Sequence, residues 1–430
     1  MSAAAPIHEL ADLVQDDRIH RTLYTDPAIF ELEMDKIFGR AWVFIGHESQ
    51  VPNAGDFLTT TIGTRPVLLS RHSDGQVYVL YNRCGHRGAL VCNEHFGNTG
   101  KSFRCAYHGW TFRTDGRLLA APLKNGYPEC YDLRGPEFSM NAIQTESYRG
   151  FIFACAANVP LMSFEDYINL MKPTIDDIVD RAPEGQVRVS RKAHRYVYYG
   201  NWKEQTDNAG DVYHPPYGHE STMTQGERQF QRREGQDGVS LAEGTAALSP
   251  WDQLRLHVLP SGNNCIGPIP GAEKERTGPV WAKYMESLVL THGKARATEI
   301  VKEKFHAGFF WPNLILHMLS QHVRVVHPIA VDKTEVRVYP IELVGAPEEM
   351  NRAVIRYMNV THSPASLIQT DDLECFRRVQ LGLQRTSPEW VILGRGYRPG
   401  ENLEGAIQDF GTSEAAIRAH YRAWKKYMVS

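Results

Sequence analysis

Two short knots in one stretch of the chain carry residues that can hold a metal cluster. Cys84-Gly85-His86 is one, and Cys105-Ala106-Tyr107-His108 is the other. Eighteen residues separate His86 from Cys105. Facing each other, the knots offer two sulfurs and two ring nitrogens. A [2Fe–2S] centre with two thiolates on one iron and two imidazoles on the other needs that set. Structural zinc also uses two Cys and two His. Its usual spacing pairs Cys with Cys and His with His, whereas each knot here mixes the types. Gly85, Gly88 and Gly109 leave room for backbone amides to approach the sulfurs.

A second constellation spans Asp211, His214 and His219. Two imidazoles and one carboxylate with open positions form the facial triad of non-haem Fe(II) oxygenases. Asp211 and His214 are three apart and are expected to share a helix face. Pro215 and Pro216 are expected to end that helix near His214 and turn the chain, so that His219 swings back to the same point. Spacing alone leaves the carboxylate open. Asp211 is near.

These knots and turns need elements to hold them. Residues 1–40 read as helical, with Thr25-Asp26-Pro27 as a start before Ile29, Phe30, Met34 and Ile37 at helix spacing. From Trp42 the pattern changes to short apolar runs split by turns at Ser73-Asp74-Gly75 and Thr114-Asp115-Gly116. An all-β domain is therefore expected over 41–156. Helix signals return over 163–182, a strand over 195–199, and a helix from Asn201. Residues 220–300 are polar and glycine-rich, including Gly235 and Gly238, and read as a long excursion with lid-like loops. Strands are expected over 310–319, 322–330 and 335–343, then helices over 371–385 and 413–427. Residues 1–40 and 157–430 would make the larger, second domain.

The chain of 430 residues is long enough for two or three domains. A net charge of −3 implies neither nucleic acid nor an acidic membrane surface as partner. No apolar run reaches membrane-spanning length, and the first residues lack a signal-peptide pattern. Seven cysteines, an odd number, argue against a disulfide framework. Cys92, Cys130, Cys155, Cys265 and Cys375 are expected to be reduced, buried thiols, which fits a cytoplasmic protein.

The paired motif Cys84-x-His86-Arg87-Gly88 and Cys105-x-Tyr107-His108-Gly109-Trp110 resembles the Rieske domain of the large subunit of ring-hydroxylating oxygenases. Ala89, and Ala106 or Tyr107, stand where respiratory Rieske proteins carry an extra disulfide. Asn201-Trp202-Lys203, Asn208, Asp211, Tyr213, His214 and His219 match that family's catalytic motif position by position. The resemblance implies an α+β fold: an all-β Rieske [2Fe–2S] domain inserted in a helix-grip catalytic domain, an antiparallel sheet wrapped around a helix. It implies Cys84, His86, Cys105 and His108 as cluster ligands. It implies His214, His219 and Asp372 as ligands of a mononuclear Fe(II), with Asp371 as a helix cap. Asp211 would bridge His214 to His108 of a neighbouring subunit, and Asn208 would lie close to the iron. Ser363-Pro364-Ala365-Ser366 stands where relatives often have Gly-Pro-Ala-Gly.

The activity implied is NADH-driven dihydroxylation of an aromatic ring with O₂, giving a cis-diol. Expected partners are a small β subunit (α₃β₃, or α₃ without it) and an NADH-dependent reductase acting directly or through a ferredoxin. Asn208, Ala209, Val212, Leu314, Leu316 and residues 362–368 are expected to line the pocket, and most are apolar. An aromatic acid of the benzoate, salicylate, anthranilate or indole-acetate type is expected, and His362 either holds the acid group when protonated or is a neutral histidine satisfied by the backbone. Alternatives are a neutral arene, and a monooxygenase or demethylase with the same ligands. A bare electron carrier would have no use for His214, His219 and Asp372.

Overall fold

The computed structural model describes residues 7–220, 248–268, 276–318 and 320–430. It divides into two compact units. The smaller comprises Phe38–Phe164 with Val189–Arg191, and the larger holds the rest. Residues 189–191 join the smaller unit through specific bonds. Val189 N donates to Ser49 Oγ at 2.9 Å, Gln50 Nε2 donates to the Ser190 carbonyl at 2.7 Å, and Arg191 pairs with Asp56 at 2.6 Å.

The smaller unit is all β, with alternating apolar runs paired through tight turns. Among its described residues a seven-stranded sheet runs in the order Val43–His47, Phe151–Cys155, Ala142–Tyr148, Val77–Tyr81, Arg65–Arg71, Asp56–Ile62, Phe96–Asn98. A three-stranded sheet joins Ser102–Arg104, Thr111–Arg113 and Leu118–Ala120. The turn at Gly116 needs glycine twice over. Its φ is +91°, and a Cβ there would meet the Met140 carbonyl oxygen at 2.2 Å.

The larger unit is built on a nine-stranded sheet among its described residues. His322–Ala330 and Lys333–Leu343 are its long central strands. Five helices matter to the site: α1 (Pro27–Lys36), α2 (Trp202–Ala209), α3 (Glu348–His362), α4 (Gln369–Leu383) and α5 (Ala415–Val429). Asp26 starts α1 as expected, accepting from Ala28 N at 2.8 Å with Pro27 in the first turn. Helix α5 is buried on nearly every side, the signature of a helix gripped by its sheet.

Cross-strand register sorts the sheet's two faces. Ala307, His317 and His322 lie opposite one another on successive strands, and so do Phe309, Ile315, Arg324 and Val338. These rows share the face that packs on α5, where the Phe309 and His420 rings are 4.9 Å apart. Gly308, Leu314 and Leu316 take the other face, where a Cβ on Gly308 would meet Thr174 of the Lys172–Asp180 helix at 3.3 Å.

The structure differs from the sequence reading in several places. Leu314 and Leu316 are buried on the far face of the sheet, because side chains alternate along a strand. Part of the 220–300 segment is regular. Arg255–Val258 and Asn264–Ile266 join the main sheet, and Pro279–His292 and Lys294–Ile300 are helices. Strands of three or four residues carry too little periodicity to read. Gly235 and Gly238 lie outside the described residues. Helix α3 was not anticipated. Cys130 and Cys375 are exposed rather than buried, one in a polar loop and one on the outer side of α4.

His420 on α5 is 3% exposed, and its Nε2 lies 2.9 Å from Asn264 Nδ2. Burial pushes its pKa down to about 3. The folded value is below the unfolded one of about 6.5, so the unfolded chain takes up the proton first as pH falls. Stability is then lost below pH ~6.5 at about 1.4 kcal/mol per pH unit from this group. Chemical denaturation between pH 7.5 and ~5 should therefore show a shallower loss for His420→Gln than for wild type, by about 2 kcal/mol. Parallel curves would show that His420 does not hold a depressed pKa.

Candidate metal centres

In the smaller unit, each cluster knot is a closed backbone turn. Gly88 N donates to the Cys84 carbonyl at 3.0 Å, and Gly109 N donates to the Cys105 carbonyl at 3.0 Å. Both glycines adopt positive φ, +76° and +70°. Gly85 serves a different purpose from the one expected, since a Cβ there would meet the Phe138 carbonyl oxygen at 2.4 Å. Cys84 and Cys105 are 3% and 2% exposed and lie within hydrogen-bonding reach of each other. Burial pushes the Cys84 thiol up, while the backbone amides of His86 and Arg87 pull against it. Those amides would stabilise a thiolate there.

The two imidazoles face one another beside the sulfurs. The rings of His86 and His108 are 4.6 Å apart, and His86 stacks on Trp110 at 4.9 Å. His86 Nδ1 is buried without a hydrogen-bond partner. A buried ring nitrogen left without a partner calls for one, and iron would supply it. The donors fit a cluster bound by two Cys and two His. Both histidines are only partly buried, and the neighbouring Tyr107 is exposed.

In the larger unit, α2 ends at Ala209, earlier than expected. Asp211 and His214 therefore do not share a helix. Gly210 closes α2 and lets the chain pass α5, where a Cβ would meet Ala416 and His420 at 3.1 Å. Pro215 and Pro216 do not end a helix but begin one, the single turn Pro215–Gly218. Proline suits a first turn because its missing N–H has no intrahelical partner there. That turn returns His219 toward His214, with ring centroids 5.4 Å apart.

Helix α4 completes the set. His214, His219 and Asp372 each bring one ligand atom within 4.8 Å of the others. Asp372 Oδ1 is 3.6 Å from His214 Nε2 and 3.3 Å from His219 Nε2. Asn208 Nδ2 lies 3.0 Å from His214 Nε2 and donates to Asp372 Oδ1 at 3.2 Å. Burial raises the Asp372 carboxyl, but the His219 hydrogen bond and the nearby positive charges outweigh it and hold it below the usual range. For His214, burial lowers the pKa, and Asp211 and Asp372 more than reverse it. Two imidazole nitrogens and one ionised oxygen converging on one point suit a mononuclear Fe(II).

A carboxylate also lies behind each outer nitrogen. His214 Nδ1 is 3.3 Å from Asp211 Oδ2, and Asp211 Oδ1 accepts from Tyr213 N at 2.6 Å. His219 Nδ1 is 3.3 Å from Asp371 Oδ2. Asp371 is therefore no cap. Helix α4 begins at Gln369, and Ile368 in the cap position supplies no side-chain bond. Carboxylates behind metal-binding imidazoles fix their orientation.

One residue of the expected pocket departs from expectation. Val212 packs into a core cluster with Trp251, Leu256 and Ala416. His362 fits the neutral alternative rather than the protonated one. It is buried at the end of α3, and burial together with His322 and Arg324 pushes its pKa well below the usual histidine range. The buried cation near Asp372 is Arg324, which the sequence reading missed.

Comparison with known proteins identifies the family. The Rieske [2Fe-2S] domain matches residues 41–132, and the ring hydroxylating alpha subunit catalytic domain matches residues 188–430. The chain belongs to the ring-hydroxylating alpha subunit family. It is similar to the 2-halobenzoate 1,2-dioxygenase large subunit of Burkholderia cepacia, 34% identical over 403 residues covering 90% of this chain and 83% of the relative. It is also similar to the N,N-dimethyl phenylurea N-demethylase subunit alpha of Sphingobium sp. (strain YBL2), 38% identical over 449 residues covering 95% and 91%. A solved structure of naphthalene 1,2-dioxygenase with bound indole shares the fold at a TM-score of 0.81 and 24% identity, covering 100% of this chain and 95% of that one. The family carries a Rieske cluster and a mononuclear iron, and both donor sets found here fit those groups. Among the described residues no helix is long and apolar enough to cross a membrane.

The Asp371 contact can be tested without turnover. Removing such a partner typically lowers metal affinity ~10–100-fold. Asp371→Asn should lose mononuclear iron to a chelator correspondingly faster, with the cluster absorbance unchanged. Equal iron retention in the variant and wild type would show that Asp371 does not support His219.

Proposed function

We propose that this chain is the large subunit of an oxygenase that adds both atoms of O₂ to the ring of an aromatic acid. The convergence of His214, His219 and Asp372 beneath Asn208 carries the reading. In balance, one arene, O₂, NADH and a proton give a cis-dihydrodiol and NAD⁺. When bound, the cluster would supply single electrons and the iron the oxygen chemistry. The 2-halobenzoate relative supports an aromatic-acid substrate.

The chain's own residues divide the remaining work. We assign Cys84, His86, Cys105 and His108 to the cluster, and His214, His219 and Asp372 to the iron. Asn208 donates toward the Asp372 carboxylate and keeps one face of the site polar. Asp211 and Asp371 orient His214 and His219 from behind. Asp211 is also the residue through which electrons would reach His214 from His108 of a neighbouring subunit. A small β subunit and an NADH-dependent reductase, acting directly or through a ferredoxin, would complete the system, in the cytoplasm.

The phenylurea N-demethylase relative supports a second reading, oxidative removal of a methyl group with the same ligands. Labelled oxygen separates the two. With ¹⁸O₂, an aromatic acid should give a diol carrying two labelled atoms. Loss of a methyl as formaldehyde, with a single oxygen used per substrate, would replace dihydroxylation with demethylation.

A further inference from the structure

The larger unit brings together four histidines that neither metal centre uses, of which His322 and His362 are buried. The His306 and His317 rings are 4.7 Å apart, His317 and His322 5.0 Å, and His322 and His362 4.5 Å. Arg324 lies two residues beyond His322, on the same face of the same strand. It is only 6% exposed. Among the described residues its guanidinium makes no hydrogen bond or ion pair, and its Nε is buried without a partner. A buried charge with no partner is costly, and native folds seldom leave one so.

The position of Arg324 shows what is missing. Its charge acts on Asp372, Tyr196, His322 and His362. It therefore lies within electrostatic range of Asp372, one of the iron donors. Asp372 cannot answer it, because a dication bound by one carboxylate and two neutral imidazoles keeps a net positive charge. Among the described residues no carboxylate pairs with Arg324.

Hydrogen-bond order fixes what the histidines offer. Thr361 Oγ1 donates to the Tyr357 carbonyl at 2.9 Å, so His362 Nδ1 donates to Thr361 Oγ1 at 2.7 Å. His362 Nε2 is then an acceptor. Ser320 N donates toward His317 Nδ1 at 3.4 Å, which makes that nitrogen an acceptor. The Ser320 hydroxyl, 3.0 Å from both rings, donates to His317 Nδ1 and accepts from His322 Nδ1. His322 Nε2 is left as a buried acceptor without a partner.

We infer that Arg324 clamps the substrate's carboxylate, and that the Nε2 atoms of His322 and His362 accept from an O–H or N–H group beside it. A planar guanidinium pairs with a carboxylate through two parallel bonds. The ligand class is an aromatic acid with an ortho hydroxyl or amino group. A polar site of this kind rejects analogues that leave its groups unpaired. The inference rests on the aromatic-acid reading above and names the residues that would read the acid.

The test is titration calorimetry on the oxygenase with both metals bound. The probes are 2-hydroxybenzoate, benzoate and benzamide. Wild type should bind benzoate at least ~10-fold tighter than benzamide, and Arg324→Met should weaken benzoate by about 30-fold or more while leaving benzamide within ~3-fold. His322→Phe should erase the advantage of 2-hydroxybenzoate over benzoate. Iron content and cluster absorbance check that each variant is folded, and Arg324→Gln replaces the Met variant if that one is not. If wild type binds benzamide as well as benzoate, the aromatic-acid reading falls and the clamp falls with it. If wild type prefers benzoate and a metal-replete Arg324 variant keeps that preference, the clamp alone is overturned. A hydroxyl advantage that survives in His322→Phe removes the histidines from the subsite.

Discussion

The larger unit's site depends on one buried ion pair. Lys203 Nζ lies 2.6 Å from Glu33 Oε1, with the two side chains 3% and 0% exposed. Burial lowers the lysine's pKa, and Glu33 pulls it back up. Trp202 and Trp424 both donate to the same carboxylate, at 2.8 and 2.7 Å. Helices α1, α2 and α5 are thus tied through a single side chain. One turn further along α2, Asp207 accepts from Tyr24 at 2.5 Å and from Tyr421 at 2.9 Å. Burial pushes Asp207 up to about 7. Removing one partner of such a pair strands a charge at a cost of about 3–5 kcal/mol. The consequence is positional, since α2 can place Asn208 against His214 and Asp372 only if its other side is immobile.

Above that anchor the site is assembled from pieces with different tolerances. His214 and His219 ride on one short turn, so their separation is set locally. Asp372 arrives on α4 from far along the chain, and its placement depends on α4 packing through Phe376 against Tyr198, ring to ring at 5.1 Å. The cluster knots in the other unit are local too, each closed by its own glycine. The distal carboxylate and the buried Arg324 therefore depend on the whole sheet being in register.

That difference explains what was legible in the sequence. The knots and the His214–His219 pair are contiguous motifs, so residue type and spacing were enough. Asp372 was found only through resemblance, because an Asp-Asp pair before a helix reads as a cap. The same habit misplaced Asp371, whose partner is His219. Proline rules were read in the wrong direction at Pro215 and Pro216, since the same ring that stops one helix suits the first turn of another. Arg324 was missed because its meaning lies in cross-strand register. One signal was present: His322-Val323-Arg324 alternates polar with apolar inside a strand otherwise apolar enough for a core. Arginine there had to be either a surface residue or a buried charge awaiting a partner, and register decides for the second.

If each unit holds its own metal centre, counting iron in two variants separates them. Wild type should hold about three irons per chain, two in the cluster and one at the triad. Asp372→Ala should keep about two with the full cluster spectrum, and Cys84→Ser should keep about one with that spectrum gone. An Asp372→Ala protein with about three irons, or a Cys84→Ser protein with an intact cluster spectrum, would contradict the assignment.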